Sequence, residues 1–187
     1  MSKRGLLIGL LVVAVSLGGE FAPAKQSPTA TKSPITSTSD LTKAILKEIQ
    51  DIEERTVAIA EDFPDDLYNT YRPKGDEDVR TAAEILLHIA EQNSAYASLM
   101  RTKEQQDALV AAGKVPHAKD ILTFVSKQDS VTKVKRSFAA VKDAIQSNPD
   151  PKELEWWLYV IAHGNGHFGN LVTYYRDNGL VPPSSRQ

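Results

Sequence analysis

The chain contains no cysteine among its 187 residues. This absence excludes disulfides, thiolate zinc sites and cysteine nucleophiles. Any metal ion must then be held by histidine nitrogens and oxygen ligands, which narrows the choice of metal. The absence also suits an exported protein, because such a protein then avoids stray thiol oxidation.

Strong charge of one sign is lacking as well. The 22 basic and 24 acidic side chains leave a formal net charge of −2, so neither nucleic acid nor an acidic tail is expected. Strand signals are also missing, because no run alternates between apolar and polar residues and no hairpin turn separates two such runs. The length suffices for one globular domain with its own core.

Long apolar runs are absent except near the N-terminus. Lys3 and Arg4 precede an apolar run over residues 5–19, and an A-x-A site ends at Ala24. This pattern predicts a secretory signal peptide over residues 1–24. The run has about fifteen residues, short of the roughly 20 that span a bilayer, so cleavage is favoured over an uncleaved membrane anchor. We therefore expect a periplasmic or secreted protein without membrane contact after cleavage.

The residues that follow divide into a linker and one domain. Residues 25–39 are rich in Ser, Thr, Pro and Lys, which predicts a disordered tether. Residues 40–187 then contain four long amphipathic segments with short breaks between them. This organisation predicts an all-α fold, an up-down four-helix bundle.

The boundaries of the four helices follow from cap and breaker residues. The first helix is expected over about residues 40–62 with Ser39 as its N-cap, and the second over about residues 79–101. The third is capped by Asp129 or Ser130 and extends to about residue 146. The fourth is expected from about residue 152 to just before Gly179, a natural C-cap.

The connections carry weaker signals. Tyr68, Tyr71 and Arg72 lie in a polar stretch after the first helix, where they either pack over the end of the bundle or line the mouth of a site. Residues 103–112 predict one or two helical turns, and residues 121–125 form a short apolar piece. No Gly-rich phosphate loop, nucleophile elbow or H-E-x-x-H motif is present.

Two histidines near the end of the chain are the most informative residues. His163 and His167 lie four residues apart, so a helix places them on one face. Their stripe has core-facing spacing and comprises Trp156, Val160, His163, His167, Leu171 and Tyr174. Two inward imidazoles suit a metal ion, although satisfied core histidines or an exposed pair are alternatives.

The second helix supplies a third inward histidine, His88. Its inner face is expected to comprise Ile85, His88, Ile89, Gln92, Tyr96 and Leu99. Glu84 and Glu91 flank His88 and either accept hydrogen bonds near it or form a solvated helix edge. Gln92, Tyr96 and Tyr174 are the candidates for a pocket beside the histidines.

Three glycines surround the histidine pair. Gly164, Gly166 and Gly169 each cost a helix about 1 kcal/mol relative to alanine. Their clustering predicts that a neighbouring helix or a substrate approaches this face closely.

Two stretches resemble the DinB-like family of metalloenzyme-type bundles. Residues 71–73 leading to AEILLHIA (83–90) resemble its first metal-site segment, and HGNGHFGNLVTYYRDNGLVPPSS (163–185) resembles its second. The resemblance covers most of residues 40–185. It implies a four-helix bundle with a divalent metal on His88, His163 and His167, and a homodimer.

The resemblance also implies what the metal site does. Characterised relatives include thiol-dependent transferases and isomerases. One departure is Gly166, where many relatives carry Glu, so a carboxylate that could orient a water is missing there. The expected cofactor is one divalent transition metal, zinc or nickel before iron, since neutral imidazoles accept all three.

Three functional hypotheses follow. The first is a metal-dependent hydrolase or thiol-transferase that acts on a small molecule through an open coordination position. The second is an exported metal-binding module without turnover. The third is a dimerising interaction module whose histidines only pack in the core.

Overall fold

The computed structural model describes residues 37–73, 77–113, 117–149 and 153–186. Within these ranges the chain is all-helical, without a strand, as predicted. None of the helices there is long and apolar enough to cross a membrane. The predicted signal peptide and most of the predicted linker lie outside the described residues.

The helices are α1 (Thr38–Asp62), α2 (Asp65–Tyr68), α3 (Ala82–Leu99), α4 (Lys103–Ala111), α5 (Ala118–Leu122), α6 (Lys127–Ser147) and α7 (Leu154–Asp177), followed by a 3-10 turn (Pro183–Ser185).

The four long helices surround a shared core. Helices α1 and α3 each pack against both α6 and α7, so α3 and α7 lie side by side. The apolar stripes of α1 and α6 are buried, and the stripe predicted for α7 is confirmed at Val160, Leu171 and Tyr174, whereas Trp156 is only half-buried and Trp157 is buried instead. The buried stripe residues are Ile45, Ile49, Ile52, Ile59 and Phe63, then Val131, Val134, Phe138, Val141 and Ile145, then Val160, Leu171 and Tyr174.

Two helices begin earlier than the sequence predicted. Helix α1 is capped by Ser37, not Ser39, because the Ser37 hydroxyl accepts a hydrogen bond from the backbone N–H of Asp40 at 3.1 Å. Helix α6 is capped in the same way by Ser126, which accepts from Asp129 N–H at 3.1 Å. In both helices the acidic residue occupies the third helical position. A carboxylate is stabilised there by the positive end of the helix dipole.

Helix α3 is shorter than predicted at both ends. Thr81 and Glu84 form a reciprocal capping box, which starts the helix at Ala82 rather than near Val79. At the other end, Leu99 was predicted to face inward but is 53% exposed, whereas Met100 is buried. The prediction failed because the helix ends at this point and Met100 fills the core position instead.

The short segments in the middle of the chain pack loosely. Helix α4 forms as predicted and contributes no buried residue, and it ends before Gly113, whose φ is +64°. The predicted apolar piece at residues 121–125 buries Ile121 only, because Leu122 and Val125 are exposed.

The end of α7 is fixed by its cap and by α1. Gly179, with φ of +70°, ends the helix as predicted, with Leu180 N–H bonded to the Tyr175 carbonyl at 2.9 Å. The Tyr175 hydroxyl donates to Asp62 at 2.7 Å, and Arg186 donates two hydrogen bonds to the same carboxylate. These contacts tie the C-terminus of α7 to the C-terminus of α1.

Only one of the three glycines near the histidines lies at a close approach. A Cβ atom on Gly164 would lie 2.9 Å from Cγ2 of Ile52, so α7 crosses α1 tightly at this point. Gly166 and Gly169 have nothing within 4 Å of such an atom. The expected approach of a neighbouring helix is therefore confirmed for Gly164 and is not found for the other two, whereas approach of a substrate stays a prediction.

The Gly164→Ala change should lower the free energy of unfolding by about 1–2 kcal/mol. The added methyl overpacks the contact with Ile52, whose β-branched side chain has one preferred rotamer in a helix, and this outweighs the gain in helix propensity. Urea unfolding measures the change. The matched control, Gly169→Ala, should instead stabilise the protein by up to about 1 kcal/mol. Equal stability of the two variants would contradict the tight crossing.

Candidate metal centre

The adjacent helices α3 and α7 bring three histidines together. His88 comes from the second turn of α3, while His163 and His167 lie one turn apart on α7. The ring centroids are 5.0 Å apart for His88 and either partner and 4.5 Å apart for the two histidines of α7. All three side chains point between the two helices, as predicted, and form one cluster.

The ring nitrogens of the cluster have the separation of ligands to one ion. Each histidine offers a nitrogen within 4.8 Å of those of the other two, and Nε2 of His88 lies 3.2 Å from Nε2 of His163. Two nitrogens bound to a tetrahedral zinc ion at about 2.0–2.1 Å are about 3.3 Å apart. The donor set therefore fits a divalent transition metal.

The imidazoles are held in their neutral form. Burial, together with the neighbouring imidazoles and the positive charge of Arg80, lowers the pKa of His163 and of His167 to about 4. Burial and Arg80 also lower the pKa of His88, against a smaller opposing effect of Glu91. Neutral imidazole is the form that ligates metals, so the cluster is ready to bind at neutral pH.

Two polar atoms of the cluster lack partners within the described residues. Nδ1 of His163 and Nδ1 of His167 are buried and make no hydrogen bond there. Leaving a buried polar atom unpaired costs about 1–3 kcal/mol. Such a cost is expected at a functional site rather than in a core that is optimised for stability.

The carboxylate of Glu91 lies beside His88. Its Oε2 atom is 3.8 Å from Nδ1 of His88, and Gln92 donates a hydrogen bond to the same carboxylate at 2.6 Å. Because Nε2 of His88 faces His163, a proton on Nδ1 faces this carboxylate. Metal-binding histidines commonly have a carboxylate on their outer nitrogen, which fixes the tautomer.

The remaining predicted residues lie at different distances from the cluster. The ring of Tyr96 is 6.3 Å from that of His163, and it contacts the rings of Trp156 and Tyr159. Tyr174 is turned away, and its hydroxyl donates to the Arg80 carbonyl at 2.7 Å. The Glu84 carboxylate accepts its hydrogen bonds from Arg72 and from Thr81 N–H and none from an imidazole among the described residues.

The loop before α3 is organised by Arg72. Its guanidinium donates to Glu84 at 2.8 Å and to the carbonyl of Val79. The Glu84 carboxylate also accepts from Thr81 N–H at 2.7 Å, so its bonds serve the capping box and Arg72 rather than an imidazole. Tyr71 packs edge-on against Tyr174, and Tyr68 is buried, which agrees with packing over the end of the helices.

Sequence reasoning missed Arg80 and Tyr159. Arg80 influences all three histidines, but it lies in a loop, where no periodicity indicates direction. Arg80 directly precedes Thr81, which starts a Thr-x-x-Glu capping box. This motif would have placed Arg80 at the N-terminus of the helix that carries His88. Tyr159 is 54% exposed and reaches Tyr96 from the edge of α7, outside the inward stripe.

The fold and the histidine cluster define an all-helical protein with a candidate metal centre between two long helices. The sequence model of the DinB family matches residues 37–186, and the chain belongs to the DinB family. This match confirms the resemblance carried by residues 71–90 and 163–185. Comparisons with curated proteins and with solved structures gave no match.

The Arg80→Gln change should raise the pKa of all three histidines in the metal-free protein. Burial still lowers these pKa values in the variant, but the repulsion from the guanidinium is removed. NMR titration of the ring protons measures the change, with Arg136→Gln on α6 as the control that removes an equal charge elsewhere. Unchanged midpoints in the Arg80 variant would contradict this electrostatic contact.

The same pKa values predict how stability depends on pH. A histidine with a lowered pKa in the folded state binds fewer protons than the unfolded chain. The metal-free protein should therefore lose stability as pH falls from about 6.5, the ordinary histidine value, towards 4. Urea unfolding across this window should show a smaller loss for His163→Gln than for the wild type.

Proposed function

We propose that this DinB-family protein binds one divalent transition metal through His88, His163 and His167 and uses the ion to act on a small molecule. The observation that carries the proposal is the convergence of three imidazole nitrogens, one pair of them 3.2 Å apart, between α3 and α7. Family membership over residues 37–186 supports it. Zinc and nickel are the favoured ions, with iron next.

Three protein ligands are the number found in catalytic rather than structural zinc sites, where a further position stays open. An ion held in this way would lower the pKa of a bound water to about 7 or polarise a carbonyl oxygen. Hydrolysis and transfer of a group to a thiol are the two reaction classes that this chemistry serves. The chain has no cysteine, so any thiol is a substrate.

The surrounding side chains would orient the ligands and shape the site. Glu91 favours the tautomer of His88 that presents Nε2 to the cluster. Tyr96, Trp156 and Tyr159 form an aromatic wall on one side, with the Tyr96 and Trp156 rings stacked at 6.0 Å. Such a wall would offer apolar ring surface to a substrate.

We also propose the setting in which the protein works. The basic start, short apolar run and A-x-A site of residues 1–24 support export to the periplasm or beyond. The packing of α1, α3, α6 and α7 supports an up-down four-helix bundle, and the family resemblance supports a homodimer.

The purified protein should carry about one equivalent of a transition metal by elemental analysis after reconstitution. His163→Ala and His88→Ala should carry less than about a tenth of this, because two remaining imidazoles bind far more weakly. His117→Ala is the matched control, since His117 is exposed at the start of α5 and should leave the metal content unchanged. Equal loss in the control would show that the ligand set is wrong.

Turnover would distinguish an enzyme from a passive metal-binding module. The zinc- and nickel-loaded protein is screened for ester and amide hydrolysis and for thiol transfer, beside His163→Ala treated identically. Activity that requires His163 supports the first hypothesis. A loaded protein that is inactive across both reaction classes favours a module without turnover.

A further inference from the structure

A polar cavity opens beside the histidine cluster. It has a volume of about 480 Å³, and its lining includes His88, Arg72, Arg80 and Glu84. A small molecule that reaches the histidines from this side passes the two arginines. The charges of these arginines therefore bear on what the site accepts.

The two arginines differ in how they are used. Arg72 is committed to Glu84 and to the Val79 carbonyl, so its charge is largely compensated. The guanidinium of Arg80 forms neither a hydrogen bond nor an ion pair with any residue that the structure describes. Arg80 is therefore the cation of this cavity that remains available to a ligand.

The backbone of Arg80 is fixed in place. Its carbonyl accepts the hydrogen bond from the Tyr174 hydroxyl on α7, and the next residue, Thr81, caps α3. Arg80 is thus tied to both helices that supply the histidines. A side chain on such an anchored position loses less conformational freedom when it binds a ligand.

The charge balance of the cavity favours an anion once a metal is bound. Arg72 and Arg80 face Glu77, Asp78 and Glu84 in the lining. A divalent ion on the adjacent histidines makes this balance positive. It also places two positive centres at one cavity, since Arg80 and His88 both line it. An anionic group between the ion and Arg80 would relieve this repulsion.

We propose that Arg80 and the cavity beside His88 form a carboxylate subsite, so that the substrate has a carboxylate in addition to the group that reaches the metal. This inference rests on the proposed function. A guanidinium binds a carboxylate through two parallel hydrogen bonds. Arg80 supplies one available positive charge, which matches the single charge of a carboxylate, and Glu77 in the same lining disfavours a doubly charged phosphate.

The experiment uses the whole chain loaded with cobalt(II), whose visible absorption reports ligands that bind the ion. Succinate offers one carboxylate to the metal and one to Arg80, and succinamate replaces the second by a neutral amide. Wild type should bind succinate about tenfold more tightly than succinamate, as expected for a hydrogen-bonded charge. Arg80→Gln should lose this preference, and Arg80→Lys should retain part of it because the charge remains.

Arg136→Gln is the matched control. It removes an equal charge from an exposed position on α6, in the lining of a different cavity. It should keep the full preference for succinate, and loss of the preference there would show a long-range field and overturn the subsite. Cobalt affinity, measured by competition with a chelator, should be the same in wild type, Arg80→Lys and Arg136→Gln and somewhat higher in Arg80→Gln, which lacks the nearby positive charge. Ligand binding is therefore compared at saturating cobalt.

The two levels of the proposal fail in different ways. If the wild type binds cobalt but Arg80→Gln keeps the preference for succinate, the subsite is wrong and the metal centre stands. If the wild type does not bind cobalt, the proposed function fails and the subsite is overturned with it.

Discussion

The contact between α3 and α7 is the constraint on which the site depends. It places His88 against His163 and His167, and none of these side chains would form a ligand set on its own helix alone. Two features away from the histidines stabilise this contact. The Tyr174 hydroxyl donates a hydrogen bond to the loop before α3, and the long helices share one apolar core. The affinity for the proposed metal and the folding stability would therefore depend on the same interface.

The environment of the histidines is costly for folding and useful for ligation. Burial and Arg80 keep the imidazoles neutral, and two buried Nδ1 atoms have no partner among the described residues. Both features lower the stability of the metal-free protein. The proposed metal ion would recover free energy by mass action, because the three imidazoles converge only in the folded chain. The cost of keeping the imidazoles neutral is thus placed where a bound ion would offset it.

The sequence predicted the helical class and the convergence of the histidines because both follow from periodicity. The steps from Trp156 to Tyr174 orient His163 and His167 inward, and the same argument orients His88. The N-caps of α1 and α6 were misplaced because several Ser, Thr and Asp residues near each start are suitable caps. Only the observed hydrogen bonds identify Ser37 and Ser126 as the caps. Leu99 was misjudged because it is the last residue of α3, where Met100 fills the core position instead. Arg80 was missed because loop residues have no repeating direction.

The close crossing of α1 and α7 also restricts how this sequence can vary. Position 164 has no room for a methyl group while position 52 carries isoleucine, because the Ile52 branch occupies that space. Larger residues at position 164 therefore become acceptable only after position 52 shrinks, and the order of the two substitutions matters. The neighbouring positions 166 and 169 meet no such obstacle. Among relatives, the residue types at 52 and 164 should consequently vary together, whereas 166 and 169 should drift independently.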